Sequence, residues 1–372
     1  MPALEFEVTA RDGEARCGRL VTRRGVVRTP AFMPVGTAGT VKGLLPDEVR
    51  ALGAEIVLAN TYHLHVRPGE EIVRRLGGLH AFCGWDGPIL TDSGGYQVFS
   101  LAELRTLDDE GVTFRDHVDG TERRLTPARS IAIQQALGAD IMMALDDCTG
   151  RPDDRAEAER AMRRTLAWLE PNLAARSDPD AALFGIVQGG IFDDLREESL
   201  ARTTVLPFDG FALGGVAVGE SREEIRRVVA RFGPRLPAAR PRYLMGIGLP
   251  EDLVEAVAAG FDMFDCVIPT RHGRNAQLFT RTGRINIRNA AYRDQREPID
   301  PDCACPVCRK FSRGFLRHLY VAGEMLGPRL GTVHNLWFYL DLMRAMREAI
   351  AAGRFEAFRR ELLAARAAGS GA

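Results

Sequence analysis

Residues 126–149 read TPARSIAIQQALGADIMMALDDCT, and they hold one repeat of the fold. Thr126 supplies a helix N-cap, and Pro127 takes the first helical position, where its missing N–H has no intrahelical partner to lose. The helix closes at Gly138. Asp140–Leu145 follows as a short apolar run, the pattern of a buried strand. It ends in Asp146-Asp147-Cys148-Thr149, polar residues at the strand's C-terminal end. Parallel strands need crossover helices, so a helix feeding such a strand is half of a βαβ unit.

Outward from it lie seven more apolar runs: Ala31–Val35, Glu55–Ala59, Pro88–Thr91, Leu183–Val187, Gly210–Leu213, Arg242–Gly246 and Asp262–Ile268. Helical signals separate them. From Asp153 to about Glu170, Met162, Leu166 and Leu169 form one stripe, and Glu159 and Arg163 make a four-apart charge pair. Pro171 is expected to end or kink that helix. Pro250-Glu251-Asp252 opens another with acids in its first turn. Eight βα repeats predict an α/β chain folded as a (β/α)8 TIM barrel, with a doubly wound open sheet as the alternative.

Ahead of the barrel, Phe6–Ala10 and Arg19–Arg23 flank the turn signal Asp12-Gly13, and Arg24-Gly25 offers another, so an N-terminal antiparallel β segment is expected. Leu101–Arg124 interrupts the repeats with a hairpin turning at Asp119-Gly120. A longer interruption runs from about His272 to Leu330. His334 is expected to open the last long helix, and the tail from Ala367 to fray. The expected units are 1–271, the barrel with its β segment; 272–345, an insertion rich in arginine and cysteine with the start of the last helix; and 346–372, the C-terminal helix and tail. Together they are expected to make one integrated domain.

Of the 372 residues, 45% are hydrophobic and 27% charged, which excludes a disordered, collagenous or coiled-coil chain. No stretch approaches the roughly 18 apolar residues of a membrane span, and the first 17 residues lack the apolar core of a signal peptide. A cytoplasmic location without a membrane partner is expected. The net charge of −1 hides an uneven distribution: Arg271 to Arg296 contains seven arginines and one acid, Asp294. An excess of this kind in a near-neutral chain points to a polyanionic partner.

Cys303, Cys305 and Cys308 form a C-x-C-x2-C cluster, and His334 follows 26 positions after the last. Three Cys and one His complete the tetrahedral shell of a structural zinc site and leave no position for a catalytic water.

Barrel enzymes carry their chemistry at the C-terminal strand ends. There the chain places Asp92-Ser93-Gly94-Gly95-Tyr96-Gln97, Asp146-Asp147-Cys148, Gln188-Gly189-Gly190, Gly214-Gly215-Val216, Met245-Gly246 and Asp265-Cys266. An Asp at such a position often only caps the next helix, which suits Asp147. Asp92 and Asp265 fit that reading less well. Two carboxylates on one pocket are the usual kit for work at an acetal-like carbon, and the residues alone allow either to be the nucleophile. Asp146, Gln188 and the Gly214-Gly215 backbone supply donors and acceptors for the edge of a planar heterocycle.

In order along nearly the whole chain, TDSGGYQ (91–97), LDDCT (145–149), VQGG (187–190), ALGGVAVGE (212–220), YLMGIG (243–248), FDCVIPTRHGR (264–274) and the Cys3His set resemble the tRNA-guanine transglycosylase, or queuine tRNA-ribosyltransferase, family of bacterial type. The resemblance implies a barrel with a C-terminal zinc-binding subdomain holding one structural zinc. It implies exchange of the wobble guanine of GUN-anticodon tRNAs (Asp, Asn, His, Tyr) for 7-aminomethyl-7-deazaguanine on the way to queuosine. It makes Asp265 the nucleophile and Asp92 the general acid/base. Asp146, Gln188 and the Gly215 N–H read the base, Tyr96 and Met245 sandwich it, and Cys148 lines the slot. The Val216 carbonyl meets the aminomethyl group, with Glu220 supporting that peptide. Asp147 and Val216 stand where bacterial members commonly have Glu and Leu. Arg271, Arg274, Arg281, Arg284 and Arg288 are expected to meet the anticodon stem-loop, and the family expectation is a homodimer. A non-catalytic tRNA-binding partner subunit would have lost the two aspartates, which are present here. A barrel glycosidase would explain them but not the arginine run, Gln188 or the zinc ligands.

Overall fold

The computed structural model describes residues 3–101 and 105–369. Eight parallel strands build its centre: β1 (Ala31–Met33), β2 (Val57–Ala59), β3 (Ile89–Thr91), β4 (Ile141–Met143), β5 (Ala182–Val187), β6 (Gly210–Leu213), β7 (Arg242–Leu244) and β8 (Met263–Asp265). Their hydrogen-bonded order is 1-8-7-6-5-4-3-2. A parallel bridge between Val35 and Leu58 joins β2 back to the end of β1, with Leu58 N–H donating to Pro34 O at 3.0 Å and Gly36 N–H to Leu58 O at 2.6 Å. The sheet is therefore a nearly closed barrel, and the open-sheet alternative falls.

Side chains alternate along each strand. Met33, Leu58, Leu90, Ile141, Met143, Phe184, Ile186, Ala212, Tyr243 and Met263 fill the interior, while Ile89, Met142, Leu183 and Phe211 face the helices. Gly210 lets Phe184 fill its layer, since a Cβ there would sit 2.5–2.6 Å from the ring. The antiparallel sheet Glu5–Asp12, Ala15–Thr22, Gly25–Thr29 closes the bottom, with Leu20 and Val27 in the same interior cluster.

The helix Pro127–Leu137 starts and stops as its sequence predicts: Thr126 Oγ1 accepts the Arg129 N–H at 3.1 Å, and Gly138 takes φ +79°. Other boundaries differ. The helix Arg155–Ala175 runs through Pro171. Asn172 holds the turn beyond the proline: it donates to Leu145 O and Trp168 O and accepts the Leu145 N–H, at 2.8–3.1 Å. Its N-cap is Asp154, which accepts the Glu157 N–H at 3.1 Å. Asp147, expected as that cap, pairs instead with Arg164.

The insertion after β3 is a three-stranded antiparallel sheet, Arg105–Leu107, Val112–Arg115 and Glu122–Leu125, of which the expected hairpin is the last two strands. His334 does not open the last long helix, which begins at Leu326 and runs to Ala351. Gly353, at φ +64°, then turns the chain into a separate helix, Phe355–Gly369. The expected frayed tail is helical to Gly369, and 370–372 lie outside the described residues. Among the described residues no helix is long and apolar enough to cross a membrane.

Candidate active site

The loops at the C-terminal ends of the strands surround a cavity of about 500 Å³. It brings together Asp92, Tyr96, Asp146, Cys148, Gly215, Val216, Met245, Asp265, Arg271 and Arg274. Gln188 and Glu220 stand behind its wall. Arg281, Arg284 and Arg288 lie outside it, exposed on and beside the hairpin Gln277–Thr280/Gly283–Asn286.

Asp265 ends β8. Its Oδ1 accepts the Tyr243 hydroxyl at 2.6 Å and the Gly246 N–H at 2.9 Å. Its Oδ2 has no partner among the described residues and borders the cavity. Burial raises the pKa of this carboxyl, while the Tyr243 and Gly246 bonds favour its charged form. One oxygen is anchored and the other is left available to react.

Asp92 follows β3 and is held differently. Oδ1 accepts the Thr61 N–H at 2.7 Å, and Oδ2 accepts from Asn60 Nδ2. Its backbone carbonyl accepts the Thr61 hydroxyl at 2.5 Å. Burial pushes its pKa up to about 6, and the charge of Asp265 adds to the rise. A carboxyl in that range can both give and take a proton near neutrality.

On the opposite wall, Asp146 Oδ2 accepts from Gln188 Nε2 at 2.6 Å and Oδ1 from Ser93 Oγ at 3.3 Å. Burial raises the Asp146 pKa to about 6 as well. Gly215 lies against the Gln188 amide at φ +61°, and a Cβ there would overlap the amide oxygen. Glu220 accepts the N–H groups of Ala217 and Val218 at 2.6 and 3.0 Å. Tyr96, half exposed, and Met245 border the same space. The arrangement offers two carboxylates for chemistry and a slot with mixed hydrogen-bonding edges, suited to a planar, polar ring.

Cys303, Cys305, Cys308 and His334 gather with their ligand atoms all within 4.8 Å of one another. His334 Nδ1 lies 3.4 Å from the sulfurs of Cys305 and Cys308 and 3.9 Å from that of Cys303. Tetrahedral zinc–sulfur and zinc–nitrogen bonds space their donors by roughly 3.5–3.8 Å, so the set fits the metal. His334 Nε2 meets Phe279 O at 2.6 Å, which places the proton on Nε2 and leaves Nδ1 to ligate. The helix bearing His334 packs on Ile268–Arg274, the helix just after Asp265. Gly273 and Gly331 touch so closely that a Cβ on Gly273 would sit 2.7 Å from the Gly331 backbone. Asn335 also donates to Pro269 O and Gln277 O at 3.0 and 2.9 Å.

Sequence reasoning missed Asn60, Thr61 and Tyr243, the partners of the two aspartates. Asn60 follows β2 and is found by the same strand-end rule once it is applied to that strand. Tyr243 lies inside the barrel and gives no such signal.

The profile of the family described as queuine tRNA-ribosyltransferase matches residues 12–368. The protein of that name from Xanthomonas axonopodis pv. citri is 54% identical over 371 residues, covering 99% of this chain and 97% of the relative. That from Herminiimonas arsenicoxydans is 52% identical over 374 residues, covering 99% and 100%. That from Solidesulfovibrio magneticus is 52% identical over 359 residues, covering 96% of each. With full-length identity above one half and this cavity at the mouth of the barrel, the chain belongs to the queuine tRNA-ribosyltransferase family.

Proposed function

We propose that this chain exchanges the wobble guanine of GUN-anticodon tRNAs for 7-aminomethyl-7-deazaguanine through a covalent tRNA intermediate. The observation that carries the mechanism is the unequal tethering of the two aspartates. Asp265, with Oδ2 free, attacks C1′ of the ribose as the C1′–N9 bond breaks, and the purine leaves with that electron pair. Asp92 supplies the proton the departing purine needs. The incoming base then loses a proton to Asp92, its N9 bonds to C1′, and Asp265 departs as a carboxylate. Two inversions retain the configuration at C1′.

Esterification of Asp265 removes the negative charge that helps raise the Asp92 pKa. Asp92 thus becomes a stronger acid as it must give up its proton, and stays a competent base for the second step. Base expulsion in a single turnover needs protonated Asp92, so it should slow as pH rises through about 6. Base incorporation, which runs on the esterified form where the Asp92 pKa is lower, should quicken with rising pH over a range below that one. Rapid-quench profiles of the two steps check this, and Asp92→Asn should flatten both while slowing each by roughly 10²–10⁴-fold. Parallel pH profiles for the two steps would contradict the shared role.

In this reading Asp146, Gln188 and the Gly215 N–H hold the edge of the base, Tyr96 and Met245 stack on its faces, and Cys148 lines the slot. Stacking offsets the unstacking of the flipped base. Glu220 fixes the Val216–Ala217 peptide so that the Val216 carbonyl can accept from the aminomethyl group. Incubating an unmodified tRNA-Tyr transcript with the aminomethyl base, its 7-cyano analogue or queuine tests the assignment by nucleoside mass spectrometry. Preferential entry of the aminomethyl base at the wobble position is expected; binding without entry of any base would overturn it.

Arg271 and Arg274 border the cavity, and Arg281, Arg284 and Arg288 extend the positive charge outward. We assign all five to backbone phosphates of the anticodon stem-loop. Replacing any one of them by alanine should lower the salt slope of binding by about 0.7–0.9, and variants with an unchanged slope would sink the assignment.

The homodimer expected of the family has a candidate face here. Leu45 and Met325 are 63% and 89% exposed, each about a turn ahead of the ion pair between Glu48 and Arg329 that joins their helices. A second copy would cover them; a Met325→Glu variant sedimenting like the wild type would remove that face from consideration.

A further inference from the structure

Arg196 lies on the helix Asp193–Thr204 that follows β5 and is wholly buried. It makes no ion pair among the described residues. Its guanidinium donates instead to four backbone carbonyls: Nε to Gly190 O at 2.6 Å, Nη1 to Val187 O at 3.3 Å, and Nη2 to Gly214 O and Gly215 O, each at 3.1 Å. Burial lowers its pKa to about 10, so it remains charged at neutral pH. The backbone is shaped around it. A Cβ on Gly189, at φ +141°, would come within 2.7 Å of both Cγ and the backbone nitrogen of Arg196.

A trans peptide carries its C=O and N–H on opposite sides. Drawing the Gly214 carbonyl onto Arg196 therefore turns the Gly215 N–H away from it, toward the cavity that Gly215 lines. Drawing in the Gly215 carbonyl does the same for the Val216 N–H. From the other side Glu220 takes the Ala217 N–H, which reverses the next peptide. Among the described residues the N–H groups of Gly215 and Val216 and the carbonyl of Val216 have no protein partner. The loop thus presents donors first and an acceptor after them.

We infer that Arg196 is the positioning residue for base specificity: by holding the Gly214 and Gly215 carbonyls behind the wall, it keeps a donor edge facing the cavity. Such an edge admits a purine with a ring carbonyl and rejects one with an amine, or nothing, at that place. The inference rests on the reading of the cavity as a purine site. It explains why a buried cation is kept without a direct ion pair. Arginine's rigid fork spans carbonyls from two strand ends, which a single ammonium cannot do.

The test uses the full-length protein and three free bases: guanine, 2-aminopurine, which lacks the carbonyl, and 2,6-diaminopurine, which replaces it with an amine. Inhibition constants against tRNA base exchange give a discrimination ratio, and calorimetric binding of the same bases gives it without turnover. The wild type should favour guanine strongly. Arg196→Met should cut the ratio by roughly 10- to 100-fold, the value of a buried donor misplaced or lost. Arg196→Lys should fall between them. Zinc content and melting temperature identify which variants are folded. If the methionine variant does not fold, the lysine variant decides, since it keeps the charge without the fork. A folded variant with an unchanged ratio overturns the inference. A wild type that does not distinguish guanine from 2-aminopurine overturns the purine-site reading itself, and the inference with it.

Discussion

Asp265→Asn should leave a folded protein that binds tRNA and base but exchanges nothing. The amide oxygen can still accept from Tyr243 and Gly246, so the local hydrogen bonds survive. The atom removed is the free Oδ2, replaced by an amide nitrogen whose electron pair is delocalised and does not attack C1′. Loss of a nucleophile from a site of this kind lowers kcat on the order of 10⁴–10⁶-fold. Binding, which the proposed function assigns to the arginines and to the Asp146–Gln188 wall, should change little. Asp92→Asn should differ in kind: the covalent intermediate still forms, but slowly. Single-turnover kinetics with enzyme in excess over tRNA, beside equilibrium binding, separate the two. A variant at 265 with more than about 1% of wild-type turnover would move the nucleophile elsewhere.

The second large effect concerns the metal. Cys305 is fully buried, and serine in its place supplies no thiolate. Cys305→Ser should therefore take zinc from one per chain to near zero, read by elemental analysis. Structural zinc contributes about 10–16 kcal/mol in small finger peptides. The effect here should be smaller, because Ile299, Val307, Leu316 and Leu336 also bury apolar surface around the site. Even a few kcal/mol would lower the melting temperature by on the order of 10 °C. The damage should also reach the surface proposed to bind RNA. His334 and Asn335 share one helical turn, and Asn335 and Gly331 hold the helix that bears Arg271 and Arg274. Limited proteolysis should open the chain between Arg281 and Ser312, and tRNA affinity should fall. A zinc-free variant with wild-type melting and affinity would make the cluster dispensable.

The eight barrel strands were legible because parallel strands covered on both faces must be apolar throughout, and the runs show it. Their ends were legible because a carboxylate or paired glycines there have no packing reason to exist. The errors have local causes. Arg105–Leu107 pairs as a strand although two of its three residues are exposed, so no alternation announces it. The stretch Gly327-Pro328-Arg329-Leu330-Gly331 reads as a loop, yet it forms the first turns of a helix. Pro328 sits where a missing N–H is harmless, and Gly331 is there because the Tyr320 hydroxyl and the Gly273 backbone leave no room for a side chain. Pro171 failed to stop its helix because Asn172 ties the far side to the end of β4. Arg196 was invisible for a different reason: the carbonyls that define its role come from β5 and the loop after β6, and only the closed barrel brings them to one guanidinium.

The mechanism stands or falls on a covalent tRNA–enzyme intermediate at Asp265, and that species can be trapped. The protein is mixed with an end-labelled tRNA-Tyr transcript in the absence of free base, quenched in denaturant and resolved by gel. The RNA-linked protein is digested and its modified peptide sequenced by mass spectrometry. An RNA-shifted band is expected, discharged when 7-aminomethyl-7-deazaguanine is added before quenching, with the ribose attached to Asp265. Base exchange with no shifted band, or a linkage mapped to Asp92, would contradict it.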